Sequence, residues 1–186
     1  MTTERFQQTW WDKNLGQKLG EFKQWIGDFN AESKVYVRKY VAQKGYKTLV
    51  DFGCGPATEY FGYKNDNYDL SYLGVDSSWI LYSQTSQQGV PVLHAPVEEV
   101  PLPDSSMEVA FSRHVLEHLP TFREALGEMI RVGQKEVINV FFIEPTEAPE
   151  KIDFYEPDQL FHNVYNKTDI EIFCKENPKV KSLRWE

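Results

Sequence analysis

The sequence predicts a single α/β domain of three layers, a mostly parallel sheet with helices on both faces and a helical cover at its N-terminus. Three observations predict it. Helical and strand patterns alternate from about residue 30 onward. The strand Thr48–Phe52 runs directly into the turn Gly53-Cys54-Gly55-Pro56, a strand-to-helix junction. Residues Glu136–Ile143 form a nearly unbroken apolar strand of the kind that is covered on both faces. At 186 residues there is material for one core and no room for two.

The elements follow in order. Residues 4–26 carry Phe6, Trp10, Trp11, Leu15, Leu19, Phe22, Trp25 and Ile26 on a helical stripe interrupted near Gly16 and Gly20, a helical preface. Between Ala31 and Gln43, Val37, Tyr40 and Val41 fall at i, i+3, i+4, and Gly45 stands where a helix C-cap belongs. After the strand Thr48–Phe52 comes a second strand, Tyr72–Val75, ending on Asp76, then a helix from Ser78 to Gln88 closed by Gly89. Val90–Leu93 and Met107–Ser112 read as strands, and Val115–Leu119 and Phe122–Val132 as helices. Thr168-Asp169-Ile170-Glu171 has the form of a capping box that opens a helix to about Lys175, and Val180–Trp185 alternates as a last strand. The order is β-α repeated, and right-handed crossovers put every strand-to-helix loop on one rim. Residues 1–46 are then N-terminal helices, 47–143 a binding core, and 144–186 a substrate-side loop with the final helix and strand.

Composition excludes several classes. Hydrophobic residues are 41% and charged residues 26%, a balance that folds rather than staying disordered. No apolar run reaches the roughly 20 residues that a membrane span needs, and the polar start MTTERFQQTWW has no signal-peptide core, so a cytoplasmic protein is expected. Cys54 and Cys174 are too few for a disulfide framework or a zinc site, and no metal is expected. The net charge of −8 divides unevenly, with +4 in residues 1–47 and −12 in the rest. No concentrated basic face is present, which argues against nucleic acid as partner.

The most informative segment is Val50-Asp51-Phe52-Gly53-Cys54-Gly55-Pro56-Ala57-Thr58. Two glycines let the backbone approach a ligand closely and turn amide N–H groups toward it. Thr58 occupies the third-glycine position of a dinucleotide fingerprint, and Asp51 would repel a pyrophosphate, so a zwitterionic or cationic ligand suits this turn better. Asp76 follows Gly55 by 21 residues at the next strand tip, where a carboxylate can accept hydrogen bonds from both hydroxyls of a ribose.

Four segments in this order resemble the class I S-adenosylmethionine-dependent methyltransferases, and in particular their small-molecule-modifying, type-eleven branch. They are VDFGCGPAT, LGVDSS, the stretch from Glu98 to Val109, and Ser112-Arg113-His114-Val115-Leu116-Glu117-His118-Leu119. The resemblance covers roughly residues 48 to 145. It implies S-adenosylmethionine as cofactor, with Gly53, Cys54 and Gly55 facing its methionine part and Asp51 near its ammonium. It further implies Asp76 on the ribose, Ser77 bordering the adenine, and Ser112 and Arg113 on the cofactor side of the fourth strand tip. Pro96 stands where the family often has an acid, so the Val97 backbone and the Glu98 side chain are expected to read the adenine instead. The family's sheet closes with an antiparallel strand, which the final strand candidate leaves no sequence to build, and an exposed edge is expected at Val180–Trp185.

His114, just past the fourth strand tip, points to where a methyl acceptor would lie and is the candidate base or orienting residue. His118, four residues on, reads as a packing residue, and Cys54 as a small side chain in a tight loop rather than a nucleophile. Residues Glu144–Leu160 hold six acids against Lys151, interrupted by Pro145, Pro149 and Pro157, and read as an acidic flap on the rim or as a solvated loop. The expected partners are a small-molecule or glycan substrate, with a monomer or homodimer and an unknown acceptor. A catalytically silent cofactor-binding scaffold and a nicotinamide-dependent oxidoreductase are the alternatives.

Overall fold

β1 (Thr48–Phe52) is buried on both sides from Leu49 onward, and it lies at the centre of the sheet. The computed structural model describes residue 12, residues 28–156 and residues 160–186. The helical preface, and with it Trp10, Trp11 and Trp25, lies outside the described residues except for Asp12. Around β1 stand β2 (Ser71–Asp76), β3 (Val92–His94), β4 (Met107–Arg113) and β5 (Gly133–Val140), in the order β3-β2-β1-β4-β5 and all parallel. The chain moves outward from β1 to β3, then returns to β4, so strand order reverses between β1 and β4. That reversal opens a crevice at their C-terminal ends, where open α/β sheets bind ligands.

Among the described residues the sheet is flanked by α1 (Glu32–Lys44), α2 (Thr58–Asn65), α3 (Trp79–Gln87), α4 (Arg123–Val132) and α5 (Lys167–Glu176). The period-2 alternation of the strands divides the core in two. Val50, Phe52, Val75 and Ala110 pack under Leu126, Met129 and Ile130 of α4 and Ile170 of α5. Leu49, Tyr72, Val109 and Phe111 face Val37 and Val41 of α1 and Tyr63 of α2. Gly45 ends α1 with φ 71°, its N–H returning to the last turn, as its place in the sequence predicts.

Four expectations are corrected. Val115–Leu119 is no α-helix: only Leu116–His118 coil, as a 3₁₀ turn, because His114 before it sits at φ 54° and breaks the helical path. His114 and His118 therefore share no helix face. The N-cap of α5 is Asn166, whose side chain accepts the Asp169 N–H at 3.0 Å, while the Thr168 hydroxyl bonds outward to Glu147. Segment 144–166 is more than a loop: β6 (Phe154–Tyr155) and β7 (Leu160–Phe161) pair as an antiparallel hairpin. Finally, Val180–Trp185 is not a strand. Val180 packs on the core, but beyond it the tail is fastened by side chains, Arg184 to Glu136 and Trp185 Nε1 to Glu171 at 3.0 Å, with Leu183 and Trp185 exposed. Its alternation marks a surface crossing rather than a half-buried sheet face.

Candidate functional site

The site grows from the tips of β1 and β2. The Gly53 and Cys54 N–H groups both donate to the Val75 carbonyl, at 2.8 and 3.0 Å, which sews the turn after β1 onto β2. Gly53 requires its glycine twice over: φ is +71°, and a Cβ would stand 2.6 Å from Val115 Cγ2. Gly55, at φ +53°, faces open space where a Cβ would stand, leaving its backbone accessible to a ligand. Cys54 is buried with its sulfur closed over Gly74, and burial pushes its thiol well up, so it is no nucleophile.

Asp76 holds the two loops together. One of its carboxylate oxygens accepts the Gly55 N–H and the other the Ser78 N–H, each at 2.8 Å. Burial raises its pKa to about 6, the two amides pull it back, and the charge of Asp12 adds to the rise. Asp12 reaches the same junction from the N-terminal segment, accepting from Ser78 Oγ at 2.7 Å and the Ile80 N–H at 3.1 Å. Asp51 is also buried, one strand over. It accepts the Tyr72 hydroxyl at 2.7 Å, and desolvation lifts its pKa to about 8 against the pull of that bond.

Beside Ser77 the structure adds residues that the sequence reading missed. Pairing of Asp76 with His94 brings the His94 ring to the β2 tip, where Nε2 lies 3.0 Å from the Ser77 carbonyl. Trp79 and Tyr82, three apart on α3, each stand 5.3 Å from that ring, and Trp79 is 58% exposed. The Trp79/Tyr82 spacing was legible; the arrival of His94 beside them depends on sheet register. Val97 and Glu98 occupy the turn after β3, with Val97 buried and Glu98 half-buried, and the neighbouring Ala95 N–H is held by the Asp76 carbonyl at 3.1 Å.

At the β4 tip Ser112 and Arg113 contact neighbouring elements. Ser112 Oγ bonds to Asn139 on β5 at 2.6 Å. Arg113 pairs with the buried Glu59 of α2 at 3.0 Å and bonds to Ser33 of α1 at 3.2 Å. Both residues brace the tip against its neighbours. Arg38 completes this ionic floor, and Gly62 is what admits it, since a Cβ there would stand 2.6 Å from the guanidinium.

His114 projects from the tip, its N–H held by the Val140 carbonyl at 2.8 Å. The ring is exposed toward the rim, while Phe142 lies 5.5 Å away across one face. Loss of water on the covered side, with the charges of Arg113, His118 and Lys34, lowers its pKa to about 4, so the imidazole is neutral at physiological pH. His118 turns away from it to the Phe161 carbonyl, 2.7 Å from Nδ1. Among the described residues no three His, Cys, Asp or Glu side chains group closely enough to hold a metal ion, and no helix is long and apolar enough to cross a membrane.

Comparison with known proteins places this geometry. A methyltransferase domain family matches residues 50–141. No curated protein matches the chain in sequence. Similar solved structures include a protein of Pyrococcus horikoshii OT3, 16% identical with TM-score 0.57, in which the match covers 83% of this chain and 88% of that one. A protein of Bacillus halodurans C-125 is 14% identical, with TM-score 0.56 and 76% and 66% of the two chains covered. The geranyl diphosphate C-methyltransferase of Streptomyces coelicolor A3(2), solved with Mg²⁺, geranyl diphosphate and S-adenosyl-L-homocysteine, is 12% identical, with TM-score 0.57 and 70% and 52% covered. Against three further structures the chain spans 40% to 60% of the other protein's length. The matched residues are those from β1 to the end of β5, the strands whose tips carry Asp51, the Gly53–Gly55 turn, Asp76 and His114. Over these residues the chain matches the methyltransferase domain family, and its sheet has the fold of the solved structures named above.

Proposed function

We propose that the protein transfers a methyl group from S-adenosylmethionine to a small-molecule acceptor, residues 47–143 holding the cofactor and residues 144–186 forming the acceptor side. One observation carries the reading: Asp76 knits the Gly53–Gly55 turn to the Ser77–Ser78 loop at the point where strand order reverses. A carboxylate has about four lone-pair directions, so two backbone amides leave it capacity for ribose hydroxyls. The chemistry of the site fits the cofactor. Asp51 and Asp76 are buried carboxylates whose charged forms desolvation disfavours, and a ligand with an ammonium and a sulfonium relieves that penalty. The open face at Gly55 admits the methionine part, and Ser77, Val97, Glu98 and the exposed Trp79 border the adenine.

The cofactor supplies an already activated methyl group, so the protein's task is alignment and exclusion of water. At neutral pH the His114 imidazole is a proton acceptor, and for a hydroxyl acceptor it takes the proton as the new bond forms. Glu144 to Leu160 carries a net −5, and exposed Phe142, Ile152, Phe154 and Tyr155 accompany it. This combination supports a neutral or cationic acceptor with an apolar body. It distinguishes the chain from the relative whose acceptor is the anionic geranyl diphosphate. The test is a screen of amines, phenols and sugars by homocysteine release, followed by His114→Ala. A fall in kcat of ~10²- to 10⁴-fold with cofactor affinity unchanged is expected for a hydroxyl acceptor. An unaltered kcat would remove His114 from the chemistry.

A further inference from the structure

Glu117 is the side chain of the rim that packing alone does not explain. It is fully buried, one carboxylate oxygen accepting the Phe142 N–H at 2.6 Å and the other without a hydrogen-bond partner among the described residues. An aliphatic side chain of similar volume would fill this place with no ionised group to desolvate, so occupancy of the core is not what the carboxylate provides. What it does provide is an oxygen that accepts the N–H of Phe142, two residues before the acceptor-side segment begins. The same 3₁₀ turn holds the far end of that segment. The Glu117 carbonyl accepts the Asn163 N–H at 3.0 Å, Asn163 Nδ2 donates to the Leu119 carbonyl at 2.7 Å, and the Tyr165 hydroxyl donates to the Leu116 carbonyl at 2.7 Å. Both ends of residues 142–166 are thus tied to one short turn, and Glu117 is the only side chain of that turn bonded to the near end among the described residues.

We propose that Glu117 is the positioning residue of the acceptor side: through the Phe142 N–H it sets the Phe142 ring against His114 and so defines where an acceptor meets that imidazole. This rests on the reading that His114 faces the acceptor. It goes further in assigning a second residue, beneath the surface, that fixes the first.

The test compares Glu117→Gln, which keeps an oxygen for the Phe142 N–H, with Glu117→Leu, which keeps the volume and removes the acceptor. Both are made in the full chain with S-adenosyl-L-homocysteine as the bound probe. The leucine variant is expected to fold and to bind the probe within about twofold of wild type, as seen by calorimetry. The His114 ring, followed by NMR, should then titrate closer to the ordinary histidine range of about 6.5, since Phe142 no longer shields it. Arg113, His118 and Lys34, the charged groups that face the ring, are unchanged in both variants. Amides of residues 154–156 and 160–162 should exchange at least about tenfold faster as the segment loosens. Glutamine should restore both signals. An unchanged His114 titration and exchange pattern in the leucine variant overturns the proposal, as does a glutamine variant that behaves like leucine. Should leucine prevent folding, the Phe142 amide carries the test: slow exchange in wild type, retained in the glutamine variant, is expected, and fast exchange in wild type overturns the proposal. None of these measurements needs an acceptor. A methylation assay in which His114→Ala is fully active would therefore sink the His114 reading without touching the Glu117–Phe142 link.

Discussion

The two halves of the rim are held together in different ways. On the β1–β3 side, Asp76, Gly55, Ser78 and the Val75 carbonyl satisfy one another through backbone amides within two adjacent loops. On the β4–β5 side the braces run mostly through side chains that reach another element: Glu59 to Arg113, Asn139 to Ser112, Glu117 to Phe142 and Asn163 to the Leu119 carbonyl. Backbone amides tie the first half together with few side chains, whereas the second half can be altered by changing the side chains that brace it.

The contrast can be attacked first at its seam, where Gly53 of one half touches Val115 of the other. Gly53→Ala combines a positive φ with an overlap at 2.6 Å, and a loss of about 2 to 4 kcal/mol in urea unfolding is expected. Adding Val115→Ala should recover the part due to overlap and leave the part due to φ. Full recovery would mean that the backbone strain is absent.

Within the cofactor half, Asp76→Ala should weaken S-adenosyl-L-homocysteine binding by about 2 kcal/mol, roughly 30-fold, measured by calorimetry on the folded variant. Affinity equal to wild type would show that the ribose is held elsewhere.

Asp51 tests the electrostatics of the same half. Its pKa rises from an unfolded value of 3.8 to about 8 in the fold, so between those limits the folded state binds the extra proton. Stability associated with this group is therefore full below about pH 4 and is withdrawn as pH climbs toward 8. Asp51→Asn should flatten that decline, gaining at least about 1.4 kcal/mol, the worth of one pKa unit, at pH 8 relative to pH 5 in ligand-free unfolding. A parallel pair of pH profiles would show that Asp51 stays ionised in the fold.

The smallest effect belongs to the acceptor half. If the acid excess of residues 144–160 steers a cationic acceptor, KM should rise a few-fold between 0.05 and 1 M salt, where the screening length falls from above 10 Å to about 3 Å. Glu144→Gln should reduce that dependence, and a KM indifferent to salt would leave the segment a solvated loop.

Legibility in the sequence follows the same division. β1, the Gly45 cap, the start of α3 at Ser78 and the pairing of a GxG turn with Asp76 could be read directly, because each depends on residues close in the chain or on a short period. The His94 ring beside Trp79 and Tyr82, the hairpin of β6 and β7, and the partners of Ser112 and Arg113 could not, because each needs a strand register or a contact across tens of residues. The tail shows the hazard in such reading: Val180, Leu183 and Trp185 carry a strand's alternation, yet side-chain contacts, not backbone pairing, hold that segment.

By itself the sequence determined the parallel α/β class, the glycine turn after β1 and the acid of the second strand tip, since apolar periodicity and glycine placement act over a few residues. Tertiary structure alone decided how the second half of the rim is braced. It turned His114 into a left-handed corner under Phe142, spent Arg113 on Glu59, and buried Glu117 with one oxygen on the Phe142 N–H. Those outcomes arise from desolvation and from hydrogen bonds between distant segments, and both come into being only when the chain has closed on itself.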